Sequence, residues 1–210
     1  MRFSCIFGVL VAFITVTASA QAPSGAMYGI AVAGSTLQVS VFREGLLKVF
    51  GHDHLIAAKS FSGTVNFHAD KVEESSISLN IEAKSLTVLD SVEAEKDRRD
   101  VQATMAGAQV LDVESFPRIT FRSTGVHLIK KAGSDWEVTL DGKLNLHGVE
   151  KPISFPVRIH QENTRLIVHG DVFITQTDFG IEPVKVAGGT VRVKDRVKLN
   201  FTIVAEKNKP

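Results

Sequence analysis

Cysteine is almost absent, at one residue in 210. That residue, Cys5, lies in the apolar stretch that opens the chain and does not resemble a lipoprotein cleavage site. The remainder therefore has neither a disulfide nor a thiol nucleophile, and its own core must stabilise it. A dominant charge is also missing. Lys and Arg number 24 and Asp and Glu 23, and removing Arg2 with the leader leaves 23 against 23. Nucleic acid needs a net basic face, so this balance argues against it as a partner. No apolar run reaches the roughly 20 residues of a membrane span, so a membrane-spanning protein is not expected. There is no Gly-x-Ser-x-Gly elbow, no His-Glu-x-x-His and no Walker-type loop, which lowers the case for an enzyme. Gly188-Gly189 lacks the strand-glycine-helix setting of a phosphate cradle and reads as a turn.

What is present begins with a leader. Arg2 precedes the apolar run Cys5 to Val16, and Ala18-Ser19-Ala20 is a small-x-small cleavage signal. Residues 1–20 thus read as a secretory signal peptide, with the mature chain starting near Gln21. Residues 21–35 read as a flexible leader, and 36–205 as one domain.

Alternation of period two dominates that domain, placing one set of side chains on a wet face and the other in an interior. Leu37, Val39 and Val41 alternate, as do Val65, Phe67 and Ala69, and then Ile77, Leu79 and Ile81. Ile119 and Phe121 follow Pro117. Val138, Leu140, Leu144 and Leu146 form the first arm of a hairpin whose tip reads as His147 to Pro152. Ile153, Phe155, Val157 and Ile159 form its second arm. Arg165 to Thr175 and Thr190 to Val204 supply two more strands. In the last of these, Arg192, Lys194, Arg196 and Lys198 occupy successive alternate positions, and burying them would carry a large desolvation cost. Only residues 91–106 change period: they are rich in helix formers, with Val101 and Met105 at helical spacing and Asp90 or Ser91 as cap. About eight one-sided strands must share one apolar interior. Either a closed antiparallel barrel or a two-sheet sandwich would satisfy this.

The most polar constellation is Gly51-His52-Asp53-His54-Leu55. Two histidines two apart on extended chain project to one side and could hold a transition metal, with Asp53 orienting them and His147 or His68 completing the set. The alternative is a hydrogen-bonded rim motif. For His147 itself, a turn residue capping a backbone group is the plainer reading.

Four ordered segments carry a resemblance. Phe61-Ser-Gly-Thr-Val-Asn-Phe67, Val110-Leu-Asp-Val-Glu-Ser-Phe-Pro-Arg-Ile-Thr-Phe-Arg-Ser-Thr124, Leu140-Asp-Gly-Lys-Leu-Asn-Leu-His-Gly-Val149 and Thr177-Asp-Phe-Gly-Ile181 resemble the YceI family of bacterial exported proteins. The likeness runs from Leu37 to Ile203. It implies an all-β fold, an antiparallel lipocalin-like barrel of about eight strands with one short helix. It also implies a periplasmic location and an interior tunnel holding a polyisoprenoid, an isoprenoid quinone or a fatty-acid derivative. The Gly51-His-Asp-His54 segment is more histidine-rich than in the best-known members.

On this reading Phe67, Leu79, Ile81, Ile119, Phe121, Leu146, Phe155 and Phe201 line the tunnel, and His52, Asp53, His54 and His147 meet the polar end of an isoprenoid or acyl lipid. From alternation alone, a packed core without a cavity fits equally well. The expected protein is a non-enzymatic carrier with neither metal nor cofactor, and a homodimer is left open. The rival is an enzyme in which His52, His54 and another histidine position a metal-bound water or act as acid and base on a lipid-like substrate.

Overall fold

The computed structural model describes residues 25–45, 53–89, 95–186 and 190–208. In chain order the strands are β1 (Ala26–Val41), β2 (Arg43–Glu44), β3 (His54–Ala58), β4 (Phe61–Phe67), β5 (Ser76–Glu82) and β6 (Leu86–Val88). Helix α1 (Glu95–Ala106) follows, and then β7 (Arg118–Ala132), β8 (Asp135–Leu146), β9 (Val149–Glu162) and β10 (Arg165–Thr175). The chain ends with β11 (Lys185–Val186), β12 (Val191–Val193) and β13 (Arg196–Lys207).

The architecture is a closed antiparallel barrel. β1 pairs with β13 along one edge, while on its other edge Ala26–Gly29 pair with β4 and Gln38–Val41 with β3. β3 and β4 are two halves of one bent strand, and β5 and β6 repeat that bend through the 3-10 turn Ala83–Ser85. Counting each bent pair once, the ring β1, β3/β4, β5/β6, β7, β8, β9, β10 and β13 has eight strands. Closure leaves no free sheet edge around most of the ring. A small second sheet, β11-β12-β2, stands at the end where β1 finishes. The alternation read from the sequence maps onto the pleat: along β8 Trp136, Val138, Leu140, Leu144 and Leu146 are buried, while Asp135, Glu137 and Lys143 are exposed. No polar or charged residue among those described is buried.

Three boundaries differ from expectation. β1 begins at Ala26, so residues 26–35 belong to the barrel and not to a flexible leader; Tyr28, 1% exposed, anchors this part in the core. The hairpin tip is only His147-Gly148, both in the left-handed region (φ 52° and 76°), which is the short turn that matches strand twist. An alanine Cβ at Gly148 would also lie 2.5 Å from the Phe116 ring. Pro152 consequently sits inside β9. The final basic strand is broken between β12 and β13, because Asp195 is held by the Thr177 N–H and hydroxyl (2.9 and 2.7 Å) while the Lys194 N–H donates to the Phe42 carbonyl. Arg192 therefore lies in the small sheet. The helix ends at Ala106 as anticipated, and its expected cap, Asp90 or Ser91, lies outside the described residues.

Candidate functional site

The two ends of the barrel are closed differently. At the end where β1 starts, Tyr28, Phe67 and Trp136 form an edge-to-face aromatic plug with centroid separations of 6.4 and 5.0 Å, and Gln161 Nε2 donates to the Tyr28 hydroxyl at 3.3 Å. The opposite end is covered by α1 and residues 107–117, which contribute Met105, Val110 and Leu111 to the interior. Among the described residues β6 has no strand partner on its outer side there, so its backbone groups need another source of hydrogen bonds. Gln102 of α1 supplies them: its Oε1 accepts the Val88 N–H and its Nε2 donates to the Leu86 carbonyl, both at 2.9 Å.

Between these closures lies a cavity of about 210 Å³ with an almost wholly apolar wall. Of the eight apolar residues singled out in the sequence, Leu79, Ile81, Ile119, Phe121, Leu146, Phe155 and Phe201 line it. Phe67 does not: it is 3% exposed and belongs to the aromatic plug, because β4 meets β1 beyond the point where the interior opens. Phe121, Phe155 and Phe201 form a row across the cavity, with centroids 5.7 and 5.9 Å apart. Two glycines on inward registers make room for this row. A Cβ on Gly142 would come within 2.3 Å of the Phe121 ring, and one on Gly170 within 2.5 Å of Phe201. Glycine thus lets each outer ring lie against the wall, keeping it out of the lumen.

The described polar candidates, Asp53, His54 and His147, share one end of the barrel, the one covered by α1, and none of them lines the cavity. His147 Nδ1 donates to the Phe179 carbonyl at 3.3 Å, and its ring stands edge-on to Phe116 at 4.6 Å. Asp53 is exposed and accepts the Arg43 backbone N–H at 2.9 Å. His54 opens β3 opposite Val41. His52 lies outside the described residues. Among the described residues no three His, Cys, Asp or Glu side chains gather in a metal-binding group.

On the outer wall the Ser154 hydroxyl and His127 Nε2 both donate to Asp141, and together they hold its carboxyl below the ordinary value, the serine contributing most. Here the carboxylate is central, and the serine meets it and not the imidazole. The order needed to activate a hydroxyl nucleophile is therefore not present.

Residues beyond those singled out in the sequence complete the site. Val110 and Leu111 come from a segment without period, and only their place between α1 and Pro117 brings them over the cavity. Gly142 and Gly170 left a usable signal: a glycine inside an alternating strand, on its apolar register, marks a close approach.

A model of the YceI-like domain matches residues 28–205. Among curated proteins, the chain is similar to a UPF0312 protein of Azotobacter vinelandii, 33% identical over 131 residues, which cover 59% of this chain and 62% of that protein. It is likewise similar to Protein YceI of Salmonella arizonae, 32% identical over 101 residues, 48% of this chain and 46% of the other. The matched region thus spans about three fifths or less of those relatives' length. Two solved structures share the fold. Burkholderia cenocepacia BcnA has a TM-score of 0.66 at 21% identity, covering 83% of this chain and 98% of its own. A polyisoprenoid binding domain from Saccharophagus degradans has a TM-score of 0.63 at 16% identity, covering 86% and 98%.

Proposed function

Because the chain belongs to the YceI-like family, whose domain spans residues 28–205, we propose that it is a non-enzymatic carrier of a long apolar chain held within the barrel. The ligand class is a polyisoprenoid, an isoprenoid quinone or a fatty-acid derivative. The observation that carries this reading is the apolar cavity. At the slope of about 24 cal/mol per Å³ found for engineered voids, leaving about 210 Å³ empty costs about 5 kcal/mol. That is comparable to the whole stability of many domains. Filling the void with an alkyl or prenyl chain removes the cost and adds about 0.8 kcal/mol for each buried methylene. Affinity should therefore climb with chain length until the lumen is full.

Leu79, Ile81, Ile119, Phe121, Leu146, Phe155 and Phe201 are the proposed apolar contacts, with Met105, Val110 and Leu111 at the helix end. The leader with Arg2, its apolar run and Ala18-Ser19-Ala20 supports export to the periplasm, testable by N-terminal sequencing of the mature protein, which should start near Gln21. The carrier itself is tested by organic extraction and mass spectrometry of protein purified from its own host. A prenyl or acyl compound at near-stoichiometric yield is expected. Recovery of none, together with no binding of added prenyl or acyl compounds, would sink the idea.

A further inference from the structure

The β9–β10 ladder stops while both strands continue. Its last pair is Val157 with Gly170, yet β9 reaches back to Val149 and β10 runs on to Thr175. The sequence supplies the cause. Pro156 and Pro152 lack the N–H that a ladder requires, and being four apart they face the same neighbour. The β8–β9 ladder runs through both without a shift of register, and the ladder that ends is the one to β10. Ile153 and Phe155 on one bank of this split, and Val172 and Ile174 on the other, line the cavity.

Lys151 lies on the β9 bank. Its register is the inward one, shared with Val149, Ile153 and Phe155, and its partner on β8 is the buried Leu144. Val149 and Ile153 on either side of it pack against the core, but Lys151 is exposed. Lys151 thus reaches water on a stretch of β9 that β10 leaves unpaired, the stretch of strand against which the 3-10 turn Gln176–Phe179 packs. Among the described residues no carboxylate lies within ion-pair distance of Lys151; the adjacent Glu150 is taken by Lys143 at 2.9 Å. Two further cations stand on the outer wall beyond β10, on β13. Phe173 is 43% exposed on its outer face, with the Arg196 guanidinium 4.2 Å and the Lys198 ammonium 5.6 Å from the ring centre, so both lean over β10 from β13. Asp171 partly offsets Lys198 at 3.4 Å.

Building on the carrier reading, we infer that the split between β9 and β10 is the mouth of the cavity and that Lys151 seats an anionic head group, a phosphate or carboxylate, at the end of the bound chain. The chain lies on apolar side chains within, and its charged end stays in water, where an exposed ammonium meets it at little desolvation cost. This assigns the polar end of the ligand to Lys151 and not to Asp53, His54 or His147.

The test is direct binding of a fifteen-carbon prenyl alcohol and of its monophosphate to the full-length protein. The wild type should bind the phosphate about tenfold tighter than the alcohol, as expected for a charge-assisted contact. That preference should shrink as salt screens the pair. Lys151→Met should remove most of the preference while leaving alcohol affinity unchanged, and Lys151→Arg should retain it. Inorganic phosphate alone should displace neither ligand. Equal wild-type affinity for the two, a preference insensitive to salt, or an equal loss of both ligands in Lys151→Met would overturn the head-group seat while leaving the carrier intact. Inorganic phosphate binding as tightly as the prenyl phosphate would assign the seat to the free ion instead. Binding of neither chain would overturn the carrier reading and this one with it.

Discussion

Gly170→Ala probes whether the interior is a lumen or a packed core. An added methyl at 170 would stand 2.5 Å from Phe201 Cζ, 3.0 Å from Cε2 and 3.0 Å from Val157 Cγ1. Carbon atoms pack at about 3.5 to 4.0 Å, so the ring must retreat by about 1 Å. Phe201 is half-buried and lines the cavity, and the three nearest atoms all belong to side chains, so the ring can turn into the lumen. In a filled core such overpacking costs about 1 to 3 kcal/mol. Against a cavity of about 210 Å³ the cost should fall below about 1 kcal/mol, a drop in Tm of only about 2 to 4 °C or less.

The larger effect should be on binding. Each methylene of ligand denied its place costs about 0.8 kcal/mol, or about fourfold in Kd, so losing room for one or two predicts a four- to fifteenfold weakening. Thermal melts and titration with a long prenyl alcohol measure both quantities on one preparation. Adding Phe201→Leu to Gly170→Ala should recover part of the affinity, because the smaller side chain clears the new methyl. A Gly170→Ala protein that loses 1 to 3 kcal/mol of stability and none of its affinity would refute the argument, since the rings would then be packed against a solid interior.

Three further outcomes are expected. Phe121→Glu and Phe201→Glu place a charge in the cavity at a cost of several kcal/mol unless water enters; both should give a less stable yet folded barrel, seen by circular dichroism, that no longer retains an apolar chain, and failure to fold at all would favour a packed core. Gln102→Ala removes both hydrogen bonds to the edge of β6 and should cost about 1 to 3 kcal/mol, with faster hydrogen exchange at the Val88 amide; an unchanged exchange rate there would contradict the role of Gln102. The Ser154 hydroxyl and His127 lower the Asp141 pKa, so its contribution to stability is present above the ordinary carboxylate pKa and lost as pH falls through the depressed one; the difference in Tm between wild type and Asp141→Asn should be visible at pH 7 and shrink as the pH is taken below the ordinary carboxylate range, and a gap independent of pH would contradict this.

Side chains that alternate along a strand have two destinations only, so the inward registers of Leu79, Phe121, Leu146 and Phe201 are legible in the sequence, as is the period change that announces α1. Alternation says which face a residue takes, but it does not say how far along the barrel that face stays open. Phe67 shows the difference: its register is inward, yet tertiary packing delivers it to Tyr28 and Trp136 in the plug. Whether eight such strands close on themselves is likewise a matter of pairing between distant segments, here β1 with β13, which periodicity cannot express.

The polar candidates divide in the same way. The left-handed His147-Gly148 turn is local chemistry, while the Phe179 carbonyl that engages His147 comes from 32 residues away. Pro152 and Pro156 are visible in the sequence as residues that cannot donate, but only the tertiary structure shows which ladder lacks the donor. That choice of neighbour, made by the packing of the whole ring, is what leaves Lys151 exposed on an inward register.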